Sequence, residues 1–107
     1  MKQWEIFLFP FDEEKSHPVV ILSPDERIEN RKFVNGLLVT TLRGDAVLNS
    51  TEVLLNGADG LDWESACRCD LIHRLEKSRF RENLGSVSYQ RRREISRKLA
   101  SVFKLVL

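Results

Sequence analysis

With 107 residues, 42% of them hydrophobic and 31% charged, the chain is one domain's worth of ordinary globular protein, enough for a single core but not for two. No stretch of about 18 apolar residues and no basic-then-apolar leader occurs, which argues against a membrane span or a secretory signal and for a cytoplasmic address. The net charge of +1 hides an asymmetry: residues 1–71 carry seven Lys/Arg against thirteen Asp/Glu, a net of −6, whereas residues 72–107 carry ten against three, a net of +7. A basic C-terminal third suits the phosphates of RNA or DNA, and an acidic protein segment would satisfy the same field.

Residues 4–9 (W-E-I-F-L-F) are short, aromatic and β-branched, and Pro10 ends them, which predicts a strand. The acidic, polar stretch 11–17 returns the chain. Residues 18–23 (P-V-V-I-L-S) form a second strand, whose run of four apolar residues implies burial on both faces. Ser23-Pro24-Asp25 reads as a helix start, although residues 25–30 leave room for only a turn or two, and 31–36 is a charged connection. Residues 36–42 (G-L-L-V-T-T-L) are the third strand and 51–55 (T-E-V-L-L) the fourth, separated by a polar loop around Gly44, Asp45, Asn49 and Ser50. N-G-A-D-G at 56–60 is the strongest turn signal in the chain.

That turn leads through Leu61 and Trp63 into residues 66–72 (A-C-R-C-D-L-I). Successive side chains of a strand point to opposite faces, so Arg68 and Asp70 share one face, roughly 6 to 7 Å apart, while Cys67, Cys69 and Leu71 share the other. A guanidinium and a carboxylate so placed can bracket one phosphate; they can equally form an exposed ion pair that contributes little. Two cysteines at i and i+2 are poorly placed for a mutual disulfide and too few for a zinc site, so both are expected reduced in the core. Residues 75–83 read as a short helix or turn carrying Arg79 and Arg81, and 85–88 (G-S-V-S) as a brief strand. Ser88 is then the N-cap of a final helix running from Tyr89 to about residue 106. Along it Ile95, Leu99, Val102, Phe103 and Val106 form one apolar stripe, with Arg91, Arg92, Arg93, Arg97 and Lys98 off it. Short strands with turn signals between them and a closing helix predict a mainly β fold, a compact antiparallel barrel rather than a doubly wound sheet.

No glycine-rich phosphate loop, H-E-x-x-H, cysteine-histidine metal cluster or G-x-S-x-G is present, so chemistry without a metal or a cofactor is expected. The equipment for it is Arg68, Asp70, His17, His73 and the hydroxyls of Thr40 and Thr41. That inventory suits RNA cleavage by attack of a ribose 2′-hydroxyl on its own phosphate, which needs a base, an acid and a cation at the phosphoryl oxygens.

The order of E-I-F-L at 5–8, H-P-V-V-I-L-S at 17–23, V-T-T at 39–41, R-C-D at 68–70, G-S-V-S at 85–88 and the amphipathic helix resembles the PemK/MazF-like toxins of type II toxin-antitoxin systems over nearly the whole chain. The resemblance implies a small SH3-like β-barrel with a C-terminal helix, spanning residues 1–107 as one domain. It implies a homodimer, and a sequence-specific endoribonuclease that cuts single-stranded RNA and is neutralised by a cognate acidic antitoxin.

Residue by residue, the resemblance sets Arg68 and Asp70 at the acid and base positions of the Kid-type members, and Thr40 at the threonine beside the scissile phosphate. RNA contacts are then expected from Thr41, Lys15, Arg43, Arg79 and Arg81. The family usually has Arg-Pro where this chain has His17-Pro18, and an acidic residue where it has Phe9-Pro10. His17 thus takes the place of a phosphate-binding arginine, and histidine, unlike arginine, is charged only on the acid side of neutrality. Two other functions fit the same fold: a gyrase poison of the CcdB type, which acts through its C-terminal helix and needs no strand dyad, and a barrel of weakened catalysis that only binds.

Overall fold

The computed structural model describes residues 1–106, and they are organised around one long strand with neighbours on both edges. In chain order the elements are β1 (Glu5–Pro10), β2 (Ser16–Ile21), α1 (Asp25–Ile28), β3 (Phe33–Thr41), β4 (Glu52–Leu55), β5 (Ser65–Arg68), β6 (His73–Glu76), β7 (Asn83–Ser86) and α2 (Tyr89–Val102), with single 3₁₀ turns at Gly57–Asp59 and Lys77–Arg79. The strands pair antiparallel in the order β4-β5-β3-β2-β1-β7, and β6 also pairs with β3. This curled sheet, with a helix at its C-terminal end, is the mainly β architecture expected.

Cross-strand register divides the side chains into two layers, because directly paired residues point to the same face. Ile6 opposes Val20, Val20 opposes Leu37, Val39 opposes Cys67 and Cys67 opposes Val53, and all six line the main core. Helix α2 lays Ile95 and Leu99 on that layer. On the other face Ile21 and Val34 meet Ile28 of α1, with Phe7 and Phe80 packed against them. Strand β2 is therefore covered on both sides, and Val19, Val20 and Ile21 are wholly buried, as the apolar run predicted.

Several elements differ from expectation, among them the strand expected at 85–88, which runs Asn83–Ser86. Strand β3 begins at Phe33, inside what reads as a charged connection, because its first residues pair with β6 (73–76), a strand that overlaps the stretch read as a short helix or turn. Helix α2 stops at Val102: Lys104 adopts φ 52°, Leu105 N–H donates to Ala100 O at 2.8 Å and Lys104 N–H to Ser101 O at 3.3 Å, a left-handed cap without the usual glycine. Phe103 and Val106, assigned to the apolar stripe, are consequently exposed. Ser88 does occupy the N-cap of α2, yet its hydroxyl makes no capping bond.

The cap comes from a distant carboxylate. Asp59, 1% exposed, accepts Ser88 N–H at 2.8 Å through Oδ1, and Asn56 N–H at 2.9 Å and Arg91 Nη1 at 2.6 Å through Oδ2. Burial by itself would raise its pKa, but the N–H donors of Ser88 and Asn56 and the Arg91 guanidinium outweigh burial and hold it below the usual carboxylate value. Two glycines let the turn approach so closely: Gly60 has φ 91° and a Cβ there would lie 2.6 Å from Leu84 O, while a Cβ on Gly85 would strike Asp59 O.

Breaking a buried pair by removing one partner costs about 3–5 kcal/mol, so Asp59→Asn should lower the unfolding free energy by about that amount at pH 7. Because the folded-state pKa is depressed, the stabilisation exists above the unfolded value and fades as pH falls through the folded one. Urea titrations from pH 7 down to pH 3 should show the wild type losing this advantage over Asp59→Asn; a constant gap would contradict the assignment.

Candidate active site

The segment holding Arg68 and Asp70 is a bulge. Between the pairs Val39–Cys67 and Gly36–His73, β3 offers only Leu37 and Leu38, whereas the facing chain runs from residue 68 to 72, five residues against two. The surplus is pushed outward. Strand β5 therefore ends at Arg68 and not at residue 72, and Leu71, expected in the core, is 56% exposed with Ile72 beside it. The alternation survives as far as Asp70: Cys67 and Cys69 are buried while Arg68 and Asp70 face solvent.

Arg68 and Asp70 differ in what holds them. Arg68 stands opposite Glu52 of β4, with Nε 4.0 Å from Glu52 Oε2. The Glu52 side chain is only 10% exposed and its Oε1 accepts Asn49 N–H at 2.9 Å, so a fixed carboxylate orients a half-exposed guanidinium. Asp70 makes no ion pair among the described residues. The dyad read from the sequence is thus a paired arginine and a free carboxylate, and Glu52 is the member that sequence reading missed. Its only signal was the alternation of T-E-V-L-L, which turns Glu52 away from the core.

Register also decides what else shares this face. Thr40 opposes Ala66, which lies two residues before Arg68, so the Thr40 hydroxyl and the Arg68 guanidinium stand on one face. Val19 opposes Leu38, and His17 lies two residues before Val19 as Thr40 lies two after Leu38; His17 is on that face as well. Strand β2 runs antiparallel to β3, which brings Ser16 and His17 level with Thr40 and Thr41. His17 is half-buried against the Phe11 ring at 5.9 Å between centroids, and Phe11 also meets His73 at 5.6 Å. His73 was among the candidates, but Phe11 had no site role in the sequence, since only folding sets this ring against both imidazoles.

Three further basic residues, Lys15, Arg79 and Arg81, collect at the β1–β2 hairpin. Arg79 lies over the Phe9 ring at 5.0 Å and donates to Pro10 O at 3.1 Å; Arg81 reaches Ser16 Oγ at 3.5 Å. Lys15 is exposed in the hairpin loop and Arg43 in the loop after β3. Thr41, opposite Ser65, is exposed at the end of β3.

The two thiols beneath this face are free and fully buried. Contact with the Cys69 thiol, and then burial, raises the Cys67 pKa well above its usual value, so Cys67 stays protonated. Both should resist a thiol reagent in the native protein and react on unfolding. Titration with a chromogenic disulfide at pH 8, in buffer and in guanidinium, reads this directly; rapid native labelling would contradict the burial.

The layered sheet, its strand order and its closing helix define the class of the MazF-like toxins. An endoribonuclease from a mycobacterial species, solved with its cognate antitoxin, superposes with a TM-score of 0.86 at 21% identity, covering 100% of this chain and 98% of that one. The toxin MazF-mt6 of Mycobacterium tuberculosis gives 0.82 at 19% identity over 96% and 99% of the two chains. A chain of the MazE-MazF structure from Deinococcus radiodurans gives 0.81 at 20% over 99% and 97%. Identities this low establish the shared fold. No curated protein sequence matches the chain. The model of the PemK-like, MazF-like toxins of type II toxin-antitoxin systems matches residues 2–103, and the chain belongs to that family.

Proposed function

We propose that this toxin is an endoribonuclease that cuts single-stranded RNA at a preferred sequence without a metal ion, acts in the cytosol as a homodimer, and is neutralised by an acidic cognate antitoxin. The observation that carries the reading is the bulge facing β3, where an exposed, unpaired Asp70 carboxylate follows an Arg68 guanidinium oriented by Glu52, on a face shared with Thr40 and His17. The similar folds named endoribonuclease, and those solved with an antitoxin, support it.

In this mechanism Asp70 takes the proton of a ribose 2′-hydroxyl, whose oxygen attacks the adjacent phosphorus. The O2′–P bond forms and the P–O5′ bond breaks, leaving a 2′,3′-cyclic phosphate and a 5′-hydroxyl end. Arg68 and Thr40 bind the non-bridging oxygens as negative charge develops on them. A histidinium gives up its proton far more readily than a guanidinium, which assigns protonation of the leaving oxygen to His17. Arg79, Arg81, Lys15, Arg43 and Thr41 hold the flanking strand. A DNA strand, lacking the 2′-hydroxyl, is not cut.

Asp70→Asn keeps size and hydrogen bonding but removes the proton acceptor. Cleavage of a mixed-sequence RNA should fall by about 10² to 10⁴. The thermal midpoint should stay unchanged, because Asp70 supports no ion pair; a folded Asp70→Asn protein that still cuts at the wild-type rate would end this mechanism. Cleavage should also survive excess EDTA, since among the described residues no three His, Cys, Asp or Glu side chains converge on a point where a metal could sit. A requirement for added magnesium would call for different nuclease chemistry.

A further inference from the structure

The three consecutive arginines at the start of α2 have separate fates. Arg91 turns inward to Asp59, and Arg92 donates to Val87 O at 2.7 Å and Ser86 Oγ at 3.0 Å. Arg93 is exposed, and so is Arg97 one turn further on; neither makes an ion pair among the described residues. Tyr89, Arg93 and Arg97 recur every four residues and so form a single stripe along the helix. Tyr89 is 75% exposed, unusual for a ring with a full helix turn to pack on.

Across from the stripe stands Trp4, half-buried and held with φ 73° by hydrogen bonds from its N–H to Ile21 O and from Val87 N–H to its own carbonyl. Trp4, Tyr89, Arg92, Arg93, Ser96 and Arg97 line a shallow cavity of about 440 Å³ with no carboxylate in its wall. Glu94 lies in the neighbouring furrow, which it lines with the same Arg93 and Arg97. The cavity wall itself thus carries three guanidiniums and two rings. Helix α2 covers the core face of the sheet, whereas Thr40, His17 and Arg68 belong to the opposite face, so the stripe is not part of the candidate active site.

We propose that this face of α2 is a second RNA-binding surface, which holds single-stranded RNA outside the cleaved segment by stacking bases on Tyr89 and Trp4 and pairing phosphates with Arg93 and Arg97. The two arginines are about 6 Å apart along the helix axis, so they engage successive phosphates of an extended strand. Rings interleaved with arginines are what a sequence-tolerant single-strand site requires, and the positive charge alone is complementary to the backbone. The inference deepens the ribonuclease reading and rests on it for the identity of the ligand.

The test measures binding and cleavage separately. Binding of a fluorescent RNA of about 30 nucleotides is measured by anisotropy in the Asp70→Asn background, with and without Arg93→Ala/Arg97→Ala or Tyr89→Ala, over a range of salt. The double variant should bind at least about tenfold more weakly, and its log–log salt slope should be shallower by about 1.4, the value for two phosphate contacts on a single strand. Arg93→Lys/Arg97→Lys should recover the slope. In the active enzyme the same double variant should raise KM for the long RNA and leave the cleavage rate of an oligonucleotide of about eight nucleotides around the mapped cut unchanged.

Unchanged long-RNA affinity and slope in a variant with the wild-type melting temperature would overturn the proposal. So would a loss confined to binding of a poly-glutamate peptide, which would make this a surface for an acidic protein. A wild type that binds the long RNA through these residues yet cuts no RNA would retain this surface and retire the ribonuclease reading instead.

Discussion

The buried carboxylate of Asp59 is the constraint on which the arrangement of sheet and helix depends. A lone carboxylate buried in a core costs several kcal/mol, and here donors from three directions offset it: the turn after β4, the backbone at the start of α2 and the Arg91 guanidinium. Each donor is on a segment that would otherwise be free to move against the others. The same carboxylate therefore closes its own turn, caps a helix nearly thirty residues later and fixes where Ile95 and Leu99 meet the sheet.

The active face inherits its geometry from that fixed core. Cys67 and Cys69 are pinned in the layer beneath α2, so the residues between and after them, Arg68 and Asp70, have no choice but to face outward. The bulge then removes Asp70 from the reach of a cross-strand partner while Arg68 retains Glu52. A guanidinium is thereby held still and a carboxylate left free, which matches the demands of a charge-stabilising group and a proton acceptor respectively.

The charge asymmetry of the sequence is distributed over opposite faces of the molecule. Arg79 and Arg81 join Lys15 beside His17, whereas Arg93 and Arg97 stand on the far side of α2. Of the three consecutive arginines, Arg91 is consumed as the partner of the capping carboxylate and Arg92 is half committed to backbone and hydroxyl acceptors, while Lys77 and Lys98 donate to the carbonyls of Ile28 and Ser50. A positive third of the chain thus becomes two surfaces separated by the thickness of the sheet.

The sequence by itself determined the β-rich class, the closing helix and the buried second strand. Alternation, an apolar run and a helical stripe are local signals, and local sterics and burial enforce them whatever the rest of the chain does. It also determined that Arg68 and Asp70 point away from two core cysteines, since a period of two needs no partner. Only the tertiary structure decided that five residues face two of β3, because a bulge is a mismatch between strands far apart in sequence. For the same reason strand β6, Glu52 beside Arg68, Phe11 against two histidines and Asp59 capping α2 could not be read from the chain: each exists through a partner more than ten residues away except Phe11 and His17, which meet across their own hairpin. The helix end at Val102 was hidden for a different reason, a left-handed cap made by a lysine, whose side chain carries no sequence signal for it.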